Sequence, residues 1–197
     1  MRKVLLALAA IAAGLFPSLA AAAPPLEVYG KLPGLEMAVI SPSGERSALI
    51  GVVQDKRRLL VIEDGKAVMA ADIGERKVRD IRWAGEDKVL VFGSATYALG
   101  PMFVNLKYEI EDATVIDLKT KAATPLLSKG PAGNGVWGTY AITEEEGRWY
   151  GYFGAITLGR SKDGSFHWKD GHPDLYRVDL SSGRERRKQA RRDCGER

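Results

Sequence analysis

The chain has 197 residues, a formal net charge of +4, one cysteine and two histidines. A length of roughly 100–200 residues suits one domain or a part of one, and a single cysteine excludes an internal disulfide. The basic charge is concentrated in Arg2, Lys3 and Arg184–Arg197, which leaves the body of the chain slightly acidic and without the basic face that nucleic-acid binding requires.

The first 23 residues have the order of a secretory signal peptide. A positive start at residues 2–3 precedes the apolar run Val4–Phe16, and Pro17 ends that run before the small residues Ala20–Ala23. The run is shorter than the roughly 20 apolar residues of a membrane-spanning helix. We therefore expect residues 1–23 to be cleaved, the mature chain to have no stable membrane span, and its location to be periplasmic or secreted.

After the signal peptide the sequence predicts an all-β fold. Short runs of Val, Ile, Leu, Tyr and Phe alternate with clusters of Gly, Asp, Ser and Pro. Three strand–turn–strand pairs are predicted in Met37–Val53, Val78–Tyr97 and Val136–Leu158. Each pair is followed by an alternating strand with an acidic residue near its end and a polar turn, in Arg58–Ala67, Ala113–Ala123 and Leu175–Glu185.

This order of strands occurs three times, which predicts a partial β-propeller of about three four-stranded antiparallel blades. Equivalent steps at Ile62, Ile116 and Val178 are 54 and 62 residues apart, and insertions at 98–112 and 159–174 account for the long period. The predicted propeller covers residues 24–187, with blades at about 35–75, 76–130 and 131–187. A β-sandwich is the alternative, since its turns have similar spacing.

The β pattern stops after Arg187. Residues 188–197 are predicted to form a basic, disordered tail that contains Cys194, which is either free or paired between chains. Because the pattern stops abruptly, we expect the chain to be a truncated or frame-shifted product.

One series of motif positions runs through Leu26–Val91, filled by Ser41, Pro42, Gly44, Trp83, Asp87, Leu90 and Val91. In this order the segment resembles the start of the propeller in exported prolyl oligopeptidase-type serine peptidases, which include dipeptidyl aminopeptidases and acylaminoacyl peptidases. Ser43 stands where this family more often has Asp. The likeness continues more loosely to about Arg187, and it implies that the chain belongs to the part that gates peptide access to a hydrolase domain.

The hydrolase machinery of that family is missing from this sequence. An α/β-hydrolase places its nucleophile in a G-x-S-x-G turn, and here Ser94 precedes Ala-Thr while Ser165 precedes Phe-His. We therefore expect no catalytic residues, no cofactor and no bound metal, and we expect the chain as it stands not to be an enzyme.

Three groups of residues could carry a site, and each also has a simpler interpretation. His167 and His172, with nearby aspartates, could bind a metal, but their spacing matches no zinc pattern and a polar loop is favoured. Glu144–Glu146 could bind a peptide amino terminus, but a solvated turn is favoured. The aromatic residues of the third unit could line a substrate surface, but packing is favoured; they are Trp137, Tyr140, Trp149, Tyr150, Tyr152 and Phe153.

The sequence thus predicts a non-catalytic propeller fragment. The alternative is an exported β-repeat binding or scaffold module of the TolB-like propeller type. The expected partners are a peptide, or the hydrolase domain of a full-length relative, and self-association is expected because three blades leave two apolar blade faces uncovered.

Overall fold

Every regular element of the described residues is a β-strand. The computed structural model describes residues 34–54, 56–98, 107–133 and 135–188. The predicted signal peptide, and the predicted tail beyond Lys188 with Cys194, lie outside these ranges. Within them there are fourteen strands, which form three four-stranded antiparallel sheets and one small hairpin.

The first sheet is a simple meander. Its strands pair in sequence order, because short polar turns connect neighbouring strands. The turns are those expected from Ser41–Glu45 and from Asp64 and Gly65, both of which have positive φ. The strands are β1 (Leu35–Ile40), β2 (Arg46–Val53), β3 (Lys56–Glu63) and β4 (Lys66–Asp72).

The second sheet follows the same order. The described ends of the predicted insertion at 98–112, Ala98 and residues 107–112, lengthen the central hairpin of this sheet, in which Tyr97 pairs with Tyr108 and Ala98 with Lys107. The sheet therefore extends well beyond its short outer strand. The strands are β5 (Lys77–Ala84), β6 (Lys88–Ala98), β7 (Lys107–Asp117) and β8 (Ala123–Pro125).

The third sheet contains the second insertion. The strands in chain order are β9 (Gly138–Glu145), β10 (Arg148–Ala155), β11 (Leu158–Arg160), β12 (Phe166–Trp168), β13 (Asp174–Asp179) and β14 (Glu185–Lys188). The sheet has the order β9-β10-β13-β14, and β11 and β12 form a separate hairpin. The predicted strand Trp149–Leu158 ends early, at Ala155. The carbonyls of Ile156 and Thr157 instead accept hydrogen bonds from Gly133 and Lys169.

Two hydrophobic cores join the three sheets. In β2 and β3 the residues Ala48, Ile50, Leu59 and Val61 alternate with half-buried positions and are fully buried, as expected for strands with one face turned to a core. They pack against Ile81, Val89, Val91 and Ile116 of the second sheet. The other face of the second sheet packs against the third sheet through Leu90, Phe92, Ala113, Val115, Phe153, Tyr176 and Val178.

The first strands of the three sheets adjoin in order, β1 beside β5 and β5 beside β9. Hydrogen bonds connect the first two sheets at this end. The indole of Trp83 donates to the carbonyl of Val39 at 3.3 Å. The amide of Ser43 donates to a carboxylate oxygen of Glu86 at 2.7 Å, and Arg46 donates to the Glu86 carbonyl at 3.0 Å.

An aspartate organises the equivalent turn in the second and third sheets. Asp117 Oδ1 accepts the amides of Lys119 and Thr120 at 3.0 and 2.9 Å. Asp179 Oδ1 accepts those of Ser181 and Ser182 at 2.8 and 2.9 Å. These Asx-type turns explain why an acidic residue recurs at the strand end in the sequence repeat.

The all-β, antiparallel part of the prediction is confirmed, and no sheet closes on itself within the described residues. The two terminal sheets differ in the faces they turn away from the second sheet. On the first sheet this outer face is apolar, with Leu49, Leu60 and Ile62 half-buried and Leu35 and Ile40 exposed. The outer face of the third sheet has a different character, described below.

Candidate binding site

The outer face of the third sheet carries a network of aromatic and charged groups. Side chains of a strand alternate between faces, so Tyr150 and Tyr152 point away from the core that contains Phe153. The hydroxyl of Tyr152 donates to Glu145 Oε1 at 2.6 Å, and Arg177 pairs with the other oxygen of Glu145. The sequence predicts an apolar face here, whereas these aromatic and charged side chains lie on it beside the aliphatic residues Ala141 and Leu175.

Arg177 connects both tyrosines to the same carboxylate. Its guanidinium carbon lies 3.6 Å from the centre of the Tyr150 ring, which is a close cation–π contact. The hydrogen bond from Tyr152 lowers the pKa of Glu145. Glu145 is therefore ionised and fully engaged at neutral pH, and it is the one member of Glu144–Glu146 with a structural partner in the network. Glu144 and Glu146 are exposed.

A cleft of about 690 Å³ lies on this outer face. We call it the Lys188 cleft, after its cationic residue on the edge strand β14. Its walls combine aromatic, aliphatic and charged groups, and its volume is in the range of small-molecule sites. It is lined by Tyr140, Ala141, Tyr152, His172, Pro173, Asp174, Leu175 and Lys188.

A second surface is an exposed aromatic cluster, which we define as Tyr108, Trp137 and Trp168. The rings of Tyr108 and Trp137 are stacked with centroids 5.9 Å apart, and Trp168 meets Trp137 edge-on at 6.1 Å. Trp168 is 57% exposed. Exposed rings in this arrangement can stack against planar or apolar groups of a ligand.

The aromatic residues predicted for the third unit divide between packing and surface. Phe153 is completely buried and Trp149 packs against the same core, as predicted. Trp137 and Tyr140 are exposed, Tyr140 by 67%. The prediction that these aromatic residues pack in the core is therefore correct for only part of the group.

Tyr108 and Trp168 were missed by sequence reasoning because both belong to insertions whose composition predicts connecting loops. The signal that could have found them is the aromatic content of these insertions. Aromatic side chains bury large apolar areas when they pack, so a connection that contains several of them is a candidate for packing against other rings. In the structure the two insertions meet through Trp137, which neither of them contains.

A second cavity, of about 570 Å³, is lined by Arg76, Asp112 and Tyr97 among others. Its two charged groups are bonded to each other. Burial raises the pKa of Asp112, and the Arg76 charge offsets only part of that rise. This cavity therefore offers a ligand no unpaired charge.

The two histidines lie apart from any metal-binding arrangement. His167 Nδ1 is 3.0 Å from Ser161 Oγ in the β11–β12 hairpin, and His172 Nδ1 is 3.3 Å from the carbonyl of Pro173. No group of three or more His, Cys, Asp or Glu side chains suited to a metal occurs among the residues that the structure describes. Those residues also contain no helix of the length and hydrophobicity needed to cross a membrane.

The two serines that follow glycine have ordinary structural partners. Ser94 is buried, receives a hydrogen bond from Arg79 at 2.7 Å and donates one to Glu109 at 2.7 Å. Ser165 Oγ donates to Asp163 at 2.7 Å in an exposed turn. Neither hydroxyl contacts a histidine, the base that would activate a serine nucleophile.

Comparison with known proteins identifies no family for this chain. No protein-family model matches it, and no curated protein matches it. Among solved structures, a puromycin-hydrolyzing peptidase of Mycobacterium tuberculosis aligns with 13% identity and a TM-score of 0.32, over 79% of this chain and 29% of that one. This chain thus spans less than a third of the peptidase. At this TM-score the similarity carries no argument about fold or function.

Proposed function

We propose that this chain is a non-catalytic propeller portion of a prolyl oligopeptidase-type peptidase, the part that controls the access of peptides to a hydrolase domain. The observation that carries the proposal is that the same four-stranded antiparallel sheet occurs three times in succession along the chain. Three consecutive four-stranded antiparallel sheets pack face to face, and their first strands adjoin in sequence order. Radial repetition of four-stranded sheets is the defining feature of propellers.

The non-catalytic part of the proposal rests on sequence and local geometry. The chain contains no G-x-S-x-G turn. Ser94 is held between Arg79 and Glu109. The Glu109 carboxylate is a poor general base for this serine. Its pairing with Arg79 stabilises the charged form, which makes the carboxylate less basic. The hydrogen bond from Ser94, together with Arg79, lowers the pKa of Glu109 to about 2.

An activity assay tests this proposal. The mature chain is incubated with aminoacyl and dipeptidyl chromogenic substrates and, separately, with a serine-directed fluorophosphonate. We expect neither turnover nor labelling. If labelling occurs, Ser94→Ala, Ser161→Ala and Ser165→Ala identify the serine, and labelling of any of them contradicts the proposal; Ser161 is included because its Oγ lies 3.0 Å from His167 Nδ1. A known serine peptidase assayed in parallel controls for the reagents.

A second candidate function is a free-standing exported binding module of the TolB-like type. The observation that favours it is the network of charged and hydroxyl groups on the outer face of the third sheet. In repeat proteins, a terminal repeat needs a polar outer face, whereas an internal repeat buries an apolar one. Here Tyr152, Glu145 and Arg177 satisfy one another without a further sheet. The mass measurement at the end of the Discussion separates the two candidates.

A further inference from the structure

One part of the Lys188 cleft is lined by aromatic and aliphatic side chains, and another part by charged groups. Tyr140 and Leu175 are both exposed, at 67% and 38%, and both line the cleft together with Tyr152 and Pro173. Tyr140 lies over Gly154, where a side chain would come within 3.3 Å of its hydroxyl. Since Gly154 pairs with Leu175, the Tyr140 ring lies next to Leu175, and the two side chains together offer an exposed apolar surface for a flat group.

The acidic groups in and beside the cleft are already neutralised. Asp174 lies 2.7 Å from Arg187 Nη2 and also accepts a hydrogen bond from Thr157. Glu145 is bonded to Tyr152 and Arg177. Neither carboxylate is free to bind a cationic ligand, because each would first have to give up an ion pair with an arginine.

Lys188 is the exception among the charged groups of the cleft. Its side chain is exposed on β14 and makes no ion pair or hydrogen bond with any described residue. Its charge adds to the lowering of the Glu145 pKa, to which the hydrogen bond from Tyr152 contributes most. His172 lies in the same lining. The cleft thus combines an apolar, aromatic floor with an unpaired cation at its edge, and this combination is complementary to an anion attached to a flat apolar group.

We infer that the Lys188 cleft binds a carboxylate attached to an aromatic ring, with the ring against the exposed surfaces of Tyr140 and Leu175 and the carboxylate at Lys188. A free aromatic acid and the C-terminal residue of a peptide share this chemistry. The cleft lies on the outer face of the third sheet, so the inference concerns the chain with that face uncovered, and a further blade packed on this face would cover the cleft.

Calorimetric titration of the mature chain tests the inference with three probes: 3-phenylpropionate, N-acetyl-Ala-Phe, and the amide of the same peptide, N-acetyl-Ala-Phe-NH2. We expect both acids to bind and the amide to bind about three- to five-fold more weakly, the range for a partly exposed charge pair. Raising the salt concentration should weaken binding of the acids only, because salt screens exposed charges. The ratio between the two acids identifies a free acid or a peptide terminus as the better ligand.

Two variants and a control complete the test. Lys188→Met removes the charge while keeping the chain length, and it should abolish the difference between acid and amide. Tyr140→Ala should weaken all three probes about equally, and since this side chain is 67% exposed the variant should fold normally. Lys162→Met, an exposed lysine in the β11–β12 turn, should change nothing. Equal binding of acid and amide, no effect of Lys188→Met, or no binding overturns the inference, and none of these results bears on the activity assay.

Discussion

Gly85, in the turn between β5 and β6, lies directly against the indole of Trp149 in β10. A Cβ atom at Gly85 would be 2.7 Å from Trp149 Nε1, and the residue has φ +64°. This contact fixes the distance between the second and third sheets at the turn. We expect Gly85→Ala to destabilise the protein by roughly 2–3 kcal/mol, since the substitution adds a steric clash to an unfavourable backbone conformation.

The matched control is Gly44→Ala. Gly44 has φ +83°, but a Cβ atom at this position would have no neighbour within 4 Å, so only the conformational cost of about 1 kcal/mol applies. Urea denaturation of both variants measures the difference. Equal losses would show that Gly85 and Trp149 are not in contact.

Phe153 tests the core between the second and third sheets. Its ring is fully buried and lies 6.3 Å from that of Phe92. Phe153→Ala should cost about 3–5 kcal/mol, because it leaves a cavity as well as losing buried apolar surface. Phe166→Ala is the control, since Phe166 is 68% exposed, and it should change the free energy of unfolding by less than about 0.5 kcal/mol. Similar effects in the two variants would contradict the described packing.

Glu185 predicts a change in stability with pH. Burial raises the pKa of this carboxyl, and the amide of Ala132 offsets only part of the rise; its Oε2 is buried without a partner among the described residues. A raised folded-state pKa means that ionisation is less favourable in the folded protein. The ionisation of Glu185 therefore lowers the free energy of unfolding. This loss begins as the pH rises through the unfolded pKa near 4.5 and is complete above the folded-state pKa.

Glu185→Gln should accordingly raise the free energy of unfolding by roughly 1 kcal/mol at pH 7 and have little effect at pH 4. Thermal melts of wild type and variant at these two pH values measure this. A variant that is less stable at pH 7 would indicate that the charge has a favourable partner.

Asp117 predicts the opposite pH dependence. Burial acts to raise its pKa, but hydrogen bonds from Lys88 and from the Thr120 amide prevail and lower the pKa to about 2. A lowered folded-state pKa contributes stability that is present above the unfolded pKa of 3.8 and is lost as the pH falls toward 2. Asp117→Asn should therefore destabilise the protein at pH 7 and converge with wild type near pH 2. A constant difference across this range would contradict the ionic role.

The strands and turns of the fold were predictable from sequence, because apolar and polar residues alternate along each strand with a period of two. Alternation at Ala48 and Ile50 and the acidic strand ends at Asp117 and Asp179 predict strands and turns from local information alone. The end of β10 at Ala155 was not predictable. The carbonyls of Ile156 and Thr157 accept hydrogen bonds from the amides of Gly133 and Lys169, which are not their neighbours in sequence.

The candidate site was less predictable for a similar reason. The sequence indicates Trp137 as a candidate, but its neighbours Tyr108 and Trp168 come from two insertions whose meeting depends on tertiary structure. Lys188 belongs to a segment whose composition predicts a disordered basic tail. The pairing of Leu175 with Lys188 places it in β14, beside the cleft.

The central claim is that the chain consists of three sheets of an unclosed propeller, and its most direct test is the mass and cooperativity of the mature protein in solution. Size-exclusion chromatography with light scattering, combined with a thermal melt, measures both. The apolar outer face of the first sheet leads us to expect self-association, which Leu60→Lys on that face should reduce and Tyr150→Lys on the polar face of the third sheet should not. A strictly monomeric wild-type chain with a sharp, cooperative melt would contradict the claim and favour a complete binding module.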